Sequence, residues 1–178
     1  VLKGPPNLKK FGCICIDSDV TLCLNGHTIT IIDDRDAFDI RKSMESNPPT
    51  LTLTDCKNSG QITHGTTTGG TKYLGNGVSL HQSCNFIMYG GSITGNNAGN
   101  GGGVYVGSDV GYGNSILTLS GAVQIKDNVC NGTKGSNGNY SGGTTSNVYL
   151  RSGKTITIGT NHLSSDASIG VTTQNLPT

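Results

Sequence analysis

Asn76–Val106 reads NGVSLHQSCNFIMYGGSITGNNAGNGGGVYV, and the fold follows from the spacing of its apolar residues. Val78–Leu80 is a short run in which apolar residues alternate with another type, the period of a strand, Phe86–Met88 is a second short apolar run, and Ile93 marks a third. Between them stand Gly90-Gly91 and Gly95-Asn96-Asn97, residue types that accept positive φ and turn the chain at little steric cost. Val104–Val106 then begins the first run again. The stretch reads as one coil of three strands that closes on itself and climbs.

The pattern recurs along the chain. Aligned on the middle strand, Leu22, Leu51, Phe86, Leu117 and Ile156 follow one another at steps of 29, 35, 31 and 39 residues. Aligned on the third, Ile29, Ile62, Ile93 and Ile125 are separated by 33, 31 and 32. A near-constant period with insertions between coils, heaviest at Asn131–Ser146, is the mark of a solenoid. Alternation turns Ile14 and Ile16, Phe38 and Ile40, Val78 and Leu80 and their later counterparts inward, with a looser Leu163, Ile169 and Val171 at the end.

Composition agrees. Twenty-eight glycines, five prolines and no tryptophan in 178 residues favour turns over helices, while the alternating Val, Ile and Leu between the glycines argue for a packed core over disorder. A net charge of +1 gives no electrostatic basis for a nucleic acid or an anionic membrane as partner. No run of about 18 apolar residues is present to span a bilayer. Residues 1–11, with Pro5-Pro6 and a cluster of lysines, lack the coil pattern and read as a lead-in or N-terminal cap. Residues 12–178 read as one β-helix domain, cut from a larger protein.

Val20-Thr21-Leu22-Cys23-Leu24-Asn25-Gly26-His27-Thr28-Ile29 resembles the "tLdLnGhtI" element of right-handed parallel β-helix (pectin-lyase-like) repeat proteins on the surfaces of Gram-positive, often gut-dwelling bacteria. Phe86–Asn96, FIMYGGSITGN, resembles their "fxmxGGxIxgN" repeat, in the style of the GG-x-I motif of chlamydial polymorphic membrane proteins. Leu163–Thr172 is similar to a segment near the end of such arrays. The resemblance implies an all-β, right-handed parallel β-helix of about five coils, exported to the cell surface or secreted, and adhesin-like. Cys23 stands where the family more often has a polar residue.

Function is less legible than fold. The outward positions of the first strand are Cys13, Cys15, Asp39, Ser79, Tyr105 and Tyr149; those of the second include Thr21, Cys23, Thr52, Thr54, Ile87, Tyr89, Thr118 and Ser120. Tyr89, Tyr105 and Tyr149, if close, would make a shallow platform for sugar rings or a protein, and Asp39 joins them as a ligand-binding candidate. The expected role is non-catalytic: adhesion to a host protein, matrix protein or glycan through these faces and the loops Arg41–Pro49, His64–Asn76 and Asn131–Ser146. The alternatives are a carbohydrate-active module, either lectin-like or a polysaccharide lyase or glycoside hydrolase, and a passive stalk. For catalysis the best carboxylates are Asp33, Asp34, Asp36 and Asp39 beside Arg35, crowded into one link instead of spread across coils.

No catalytic residue, metal ligand or cofactor is nominated. Asp17-Ser18-Asp19 opens like a calcium loop, which raises calcium, but the later ligands and terminal glutamate are missing. His27, His64, His81 and His162 fall on different coils without metal spacing. Gly101-Gly102-Gly103 precedes a strand and not a helix, so it does not cradle a phosphate. Cys13-Ile14-Cys15 is too tight for a redox CxxC pair or a zinc knuckle. A Cys23–Cys56 bridge between coils suits strands about 4.8 Å apart, although the pairing of Cys13, Cys15, Cys23, Cys56, Cys84 and Cys130 is left open.

Overall fold

The computed structural model describes residues 13–42, 47–66, 73–107, 113–134 and 140–175, and among these every regular element is a strand. The expected lead-in at residues 1–11 lies outside the described residues. Three parallel sheets carry the fold. The first runs Ile14–Ile16, Phe38–Arg41, Val78–His81, Val104–Val106, Val148–Leu150, Val171–Thr173; each strand pairs in parallel with the next. The second stacks Val20–Cys23, Thr50–Thr54, Asn85–Met88, Ile116–Gly121 and Ile156–Leu163, and the third Thr28–Ile31, Gln61–His64, Ser92–Thr94, Gln124–Lys126 and Ser168–Ile169. From Ile14 to Thr173 the chain visits first, second and third sheet in that order, and each return adds a strand beside the last. This arrangement is compatible with a parallel β-helix.

Alternation puts the apolar residues where the sequence places them. Phe38, Ile40, Leu51, Leu53, Val78, Leu80, Phe86, Met88, Leu117 and Leu119 are almost wholly buried in one cluster. Each such side chain contributes on the order of 1.5–3 kcal/mol by leaving water. The third-sheet column is as expected: Ile29, Ile62, Ile93 and Ile125 lie side by side, and Ile169 extends it. Toward the C-terminal end the core opens, with Ile158, Leu163 and Val171 exposed.

Two expectations need correction. Leu51, Phe86, Leu117 and Ile156 do lie one beside the next, but Leu51 pairs with Val20, and Leu22 pairs with Leu53. Val20, Leu22 and Leu24 are equally apolar alternate residues, so alternation chooses their face and leaves the rung open; a slip of two residues keeps every side chain on its side. The rung is set by Asp19, whose Oδ1 accepts the Thr50 backbone N–H at 2.8 Å. Second, Asn131–Ser146 is not a plain loop: Thr133–Lys134 pairs antiparallel with Tyr140–Ser141, and Thr144–Thr145 pairs antiparallel with Val129–Cys130.

A polar ladder runs inside the turn from the third sheet back to the first. Asn96 Nδ2 donates to Asn128 Oδ1 at 2.9 Å and Asn128 Nδ2 to Asn147 Oδ1 at 3.1 Å. The same oxygens accept the backbone N–H of Asn96 and of Asn128. His64 continues the ladder, its Nδ1 2.7 Å from Asn96 Oδ1 and its Nε2 2.7 Å from the Arg35 carbonyl oxygen. Gly103 lies against this ladder, where a Cβ would run into the Asn147 carbonyl and the Asn128 amide. Only glycine lets the coils approach so closely there.

Candidate functional site

The outward face of the first sheet brings together residues far apart in sequence. Its register places Cys15 beside Asp39, Asp39 beside Ser79, Ser79 beside Tyr105, Tyr105 beside Tyr149 and Tyr149 beside Thr172. Two residues along the strand, Arg41 lies beside His81. Residues two apart on a strand share a face, so Asp39 and Arg41 belong together. The Arg41 guanidinium pairs with Asp39 Oδ2, and His81 Nε2 lies 4.0 Å from Asp39 Oδ1.

Tyr105 and Tyr149 form an offset parallel stack, with centroids 6.0 Å apart and planes within 6°. The His81 ring stands 5.8 Å from Tyr105 at a tilt of 43°. Tyr89 is elsewhere: it follows the second-sheet strand Asn85–Met88, and its N–H bonds the Leu53 carbonyl. Two of the three tyrosines that the sequence nominates therefore come together, with His81 as a third ring that alternation alone did not single out.

Asp39 holds its place in the outward column yet is only 6% exposed, and its Oδ1 has no hydrogen-bond partner among the described residues. Ser79 and Ser120, both expected to be displayed, are buried as well. A cleft of about 380 Å³ opens here, lined by Cys13, Asp34, Asp36, Asp39, Arg41 and Asn76 among others, and a second of about 250 Å³ touches Arg41, His81 and Gln82.

The other acids of the link are structural. Asp34 Oδ1 accepts the Leu74 N–H at 2.8 Å. Asp36 accepts the Asn76 N–H at 2.7 Å through Oδ1 and the Ser79 hydroxyl at 2.7 Å through Oδ2. Asp33 pairs with Arg35 at 3.6 Å. Asp34 and Asp36 thereby tie the second coil's entry to Leu74–Ser79. Among the histidines, His64 belongs to the buried ladder, while His27 and His162 are exposed on other elements.

The thiols fall into distinct settings. Cys23 and Cys56 sit with Sγ atoms 2.8 Å apart, both exposed. The Cys56 hydrogen bond brings the Cys23 thiol down to about 7, and the same contact raises Cys56. Cys84 is buried against the Ile40 carbonyl and pushed up to about 11 by that burial, which makes it an inert core residue. Cys13 and Cys15 place their Sγ atoms 3.2 Å apart beside Asp39. No helix among the described residues is long and apolar enough to cross a membrane.

No family model matches the chain, and neither a curated protein nor a solved structure matches it.

Proposed function

We propose that the chain is a right-handed parallel β-helix module of about five coils, displayed on a bacterial surface, that binds a glycan on the outward face of its first sheet without transforming it. The observation that carries this is the Tyr105–Tyr149 stack with His81 against it, on the same outward face as the Asp39–Arg41 pair. Tyrosine rings pack against the C–H faces of a sugar at small entropy cost, and their hydroxyls bond its own. Arg41, more than half exposed, has guanidinium N–H groups to offer an acidic substituent in the adjoining cleft. Cell-surface placement and the adhesin role rest on the motif resemblance. The segments Arg41–Pro49, His64–Asn76 and Asn131–Ser146, offered above as contact loops for a host or matrix partner, lie in part outside the described residues.

A glycan array with neutral and uronate-bearing oligosaccharides tests the assignment. Retention of specific glycans by the protein, and their loss from Tyr149→Ala, is the expected outcome; equal retention by the variant would contradict it. A second reading, polysaccharide lyase, is favoured by the cleft that gathers Asp34, Asp36, Asp39 and Arg41. Uronate polymers followed by ultraviolet absorbance with and without calcium separate the two, because unsaturated product would replace binding with catalysis.

A further inference from the structure

We propose that Cys13, Cys15 and Asp39 form a site for a thiophilic divalent cation of the zinc class. The donor atoms, two Sγ and a carboxylate oxygen, all lie within 4.8 Å of one another. Their placement follows from the sheet: Cys15 is the register partner of Asp39, and Cys13 is two residues before Cys15, on the same side. Tetrahedral zinc, with bonds of about 2.3 Å to sulfur and 2.0–2.2 Å to oxygen, asks for sulfurs about 3.8 Å apart. The 3.2 Å between these Sγ atoms widens to that by a small rotation of the exposed Cys15 side chain.

A second observation points to a ligand. Asp39 is more than nine-tenths buried, Arg41 holds Oδ2, and Oδ1 has no hydrogen-bond partner among the described residues, His81 Nε2 standing 4.0 Å from it. A buried carboxylate oxygen left so is costly unless something occupies it. A cation held between the Asp39 carboxylate and the two sulfurs would supply the missing partner, while Arg41 on Oδ2 holds the carboxylate in orientation. Charge also balances: two thiolates and a carboxylate meet a divalent ion and one guanidinium. Binding releases one proton from each thiol to solvent, so affinity falls as pH falls. A single carboxylate and two sulfurs do not suit calcium or magnesium, which take oxygen donors. Three protein donors leave a fourth position for water. The tyrosine stack lies two rungs away from Asp39 and is no part of the site, so failure of this proposal leaves the glycan reading intact.

The test is titration of the reduced protein with Co²⁺, followed by thiolate-to-cobalt absorption and then by displacement with Zn²⁺ against a competing chelator. One equivalent per chain with a thiolate band is expected. The band should vanish in the Cys13→Ser/Cys15→Ser double variant, persist in Cys23→Ser/Cys56→Ser, and Asp39→Asn should weaken binding by about tenfold or more. Circular dichroism of each variant checks that the strands persist, and Cys15, being exposed, tolerates serine. Absence of any thiolate band in the wild-type protein, or loss of the band only in Cys23→Ser/Cys56→Ser, overturns the assignment.

Discussion

Two residues do more for this fold than their type suggests. Asn128 uses every atom of its amide: Nδ2 donates to the carbonyls of Ile93 and Lys126 and to Asn147, and Oδ1 accepts from Asn96 twice. Asn128→Asp would turn a donor into an acceptor facing three oxygens, and we expect a loss of about 3–5 kcal/mol in denaturant unfolding; a change under 1 kcal/mol, about one ordinary hydrogen bond, would remove the ladder from the account. Asp55 joins the first coil to the second, with Oδ1 accepting the Gly26 N–H and Oδ2 the Gly60 N–H, each at 2.6 Å. Burial works to raise its carboxyl, but the N–H groups of Gly60, Gly26, Lys57 and Ser59 prevail and hold it below the usual range. A lowered folded value means that the stabilisation is present above the unfolded value of about 4 and is lost as pH falls through the folded one. Asp55→Asn should therefore cost about 2 kcal/mol near neutrality, with the gap to wild type closing in more acidic melts. A gap that stays constant with pH would refute this.

At the scale of the element, alternation proved sufficient for facing and insufficient for register. Ile62, Ile93 and Ile125 are legible because each is the lone apolar residue of a short strand, so only one alignment exists; Ile29 shares Thr28–Ile31 with Ile31, which pairs with His64. Val20, Leu22 and Leu24 offer three equivalent alignments, and a side chain–backbone bond from Asp19 decides among them. The asparagine ladder escaped notice for a related reason: asparagines near glycines read as turn formers, and nothing in their spacing tells a solvated turn from a buried stack. His81 and Arg41 were missed because their roles come from partners on neighbouring strands. The register also bears on Cys23 and Cys56, which are separated by 33 residues yet adjacent in space. In the oxidised protein they should be joined, closing a loop for which chain entropy gives about 3–4 kcal/mol. Unreduced peptide mapping should recover a Cys23–Cys56 cross-link, and reduction should lower Tm by roughly 10 °C for a chain of this size. Recovery of Cys23 linked elsewhere would contradict the register.

Across the whole molecule, the three sheets divide the labour. Their inner faces are one aliphatic core, and the outer faces differ in chemistry. The second sheet displays hydroxyls with Ile87 and Tyr89, whereas the first combines aromatic rings, an ion pair and two thiols on a single face. Such a face needs parallel strands in register, because its members come from successive coils and no short motif contains them. That is why the sequence could list its residues but could not assemble them into a site. The face-specific claim is tested most directly by calorimetric titration of the best-retained glycan into wild type, Tyr149→Ala on the first sheet and Thr118→Ala on the second. We expect Tyr149→Ala to weaken binding by about tenfold or more, in line with the 1–3 kcal/mol range for aromatic stacking contacts, and Thr118→Ala to bind as wild type does. Unchanged affinity in Tyr149→Ala, or a loss confined to Thr118→Ala, would contradict the account.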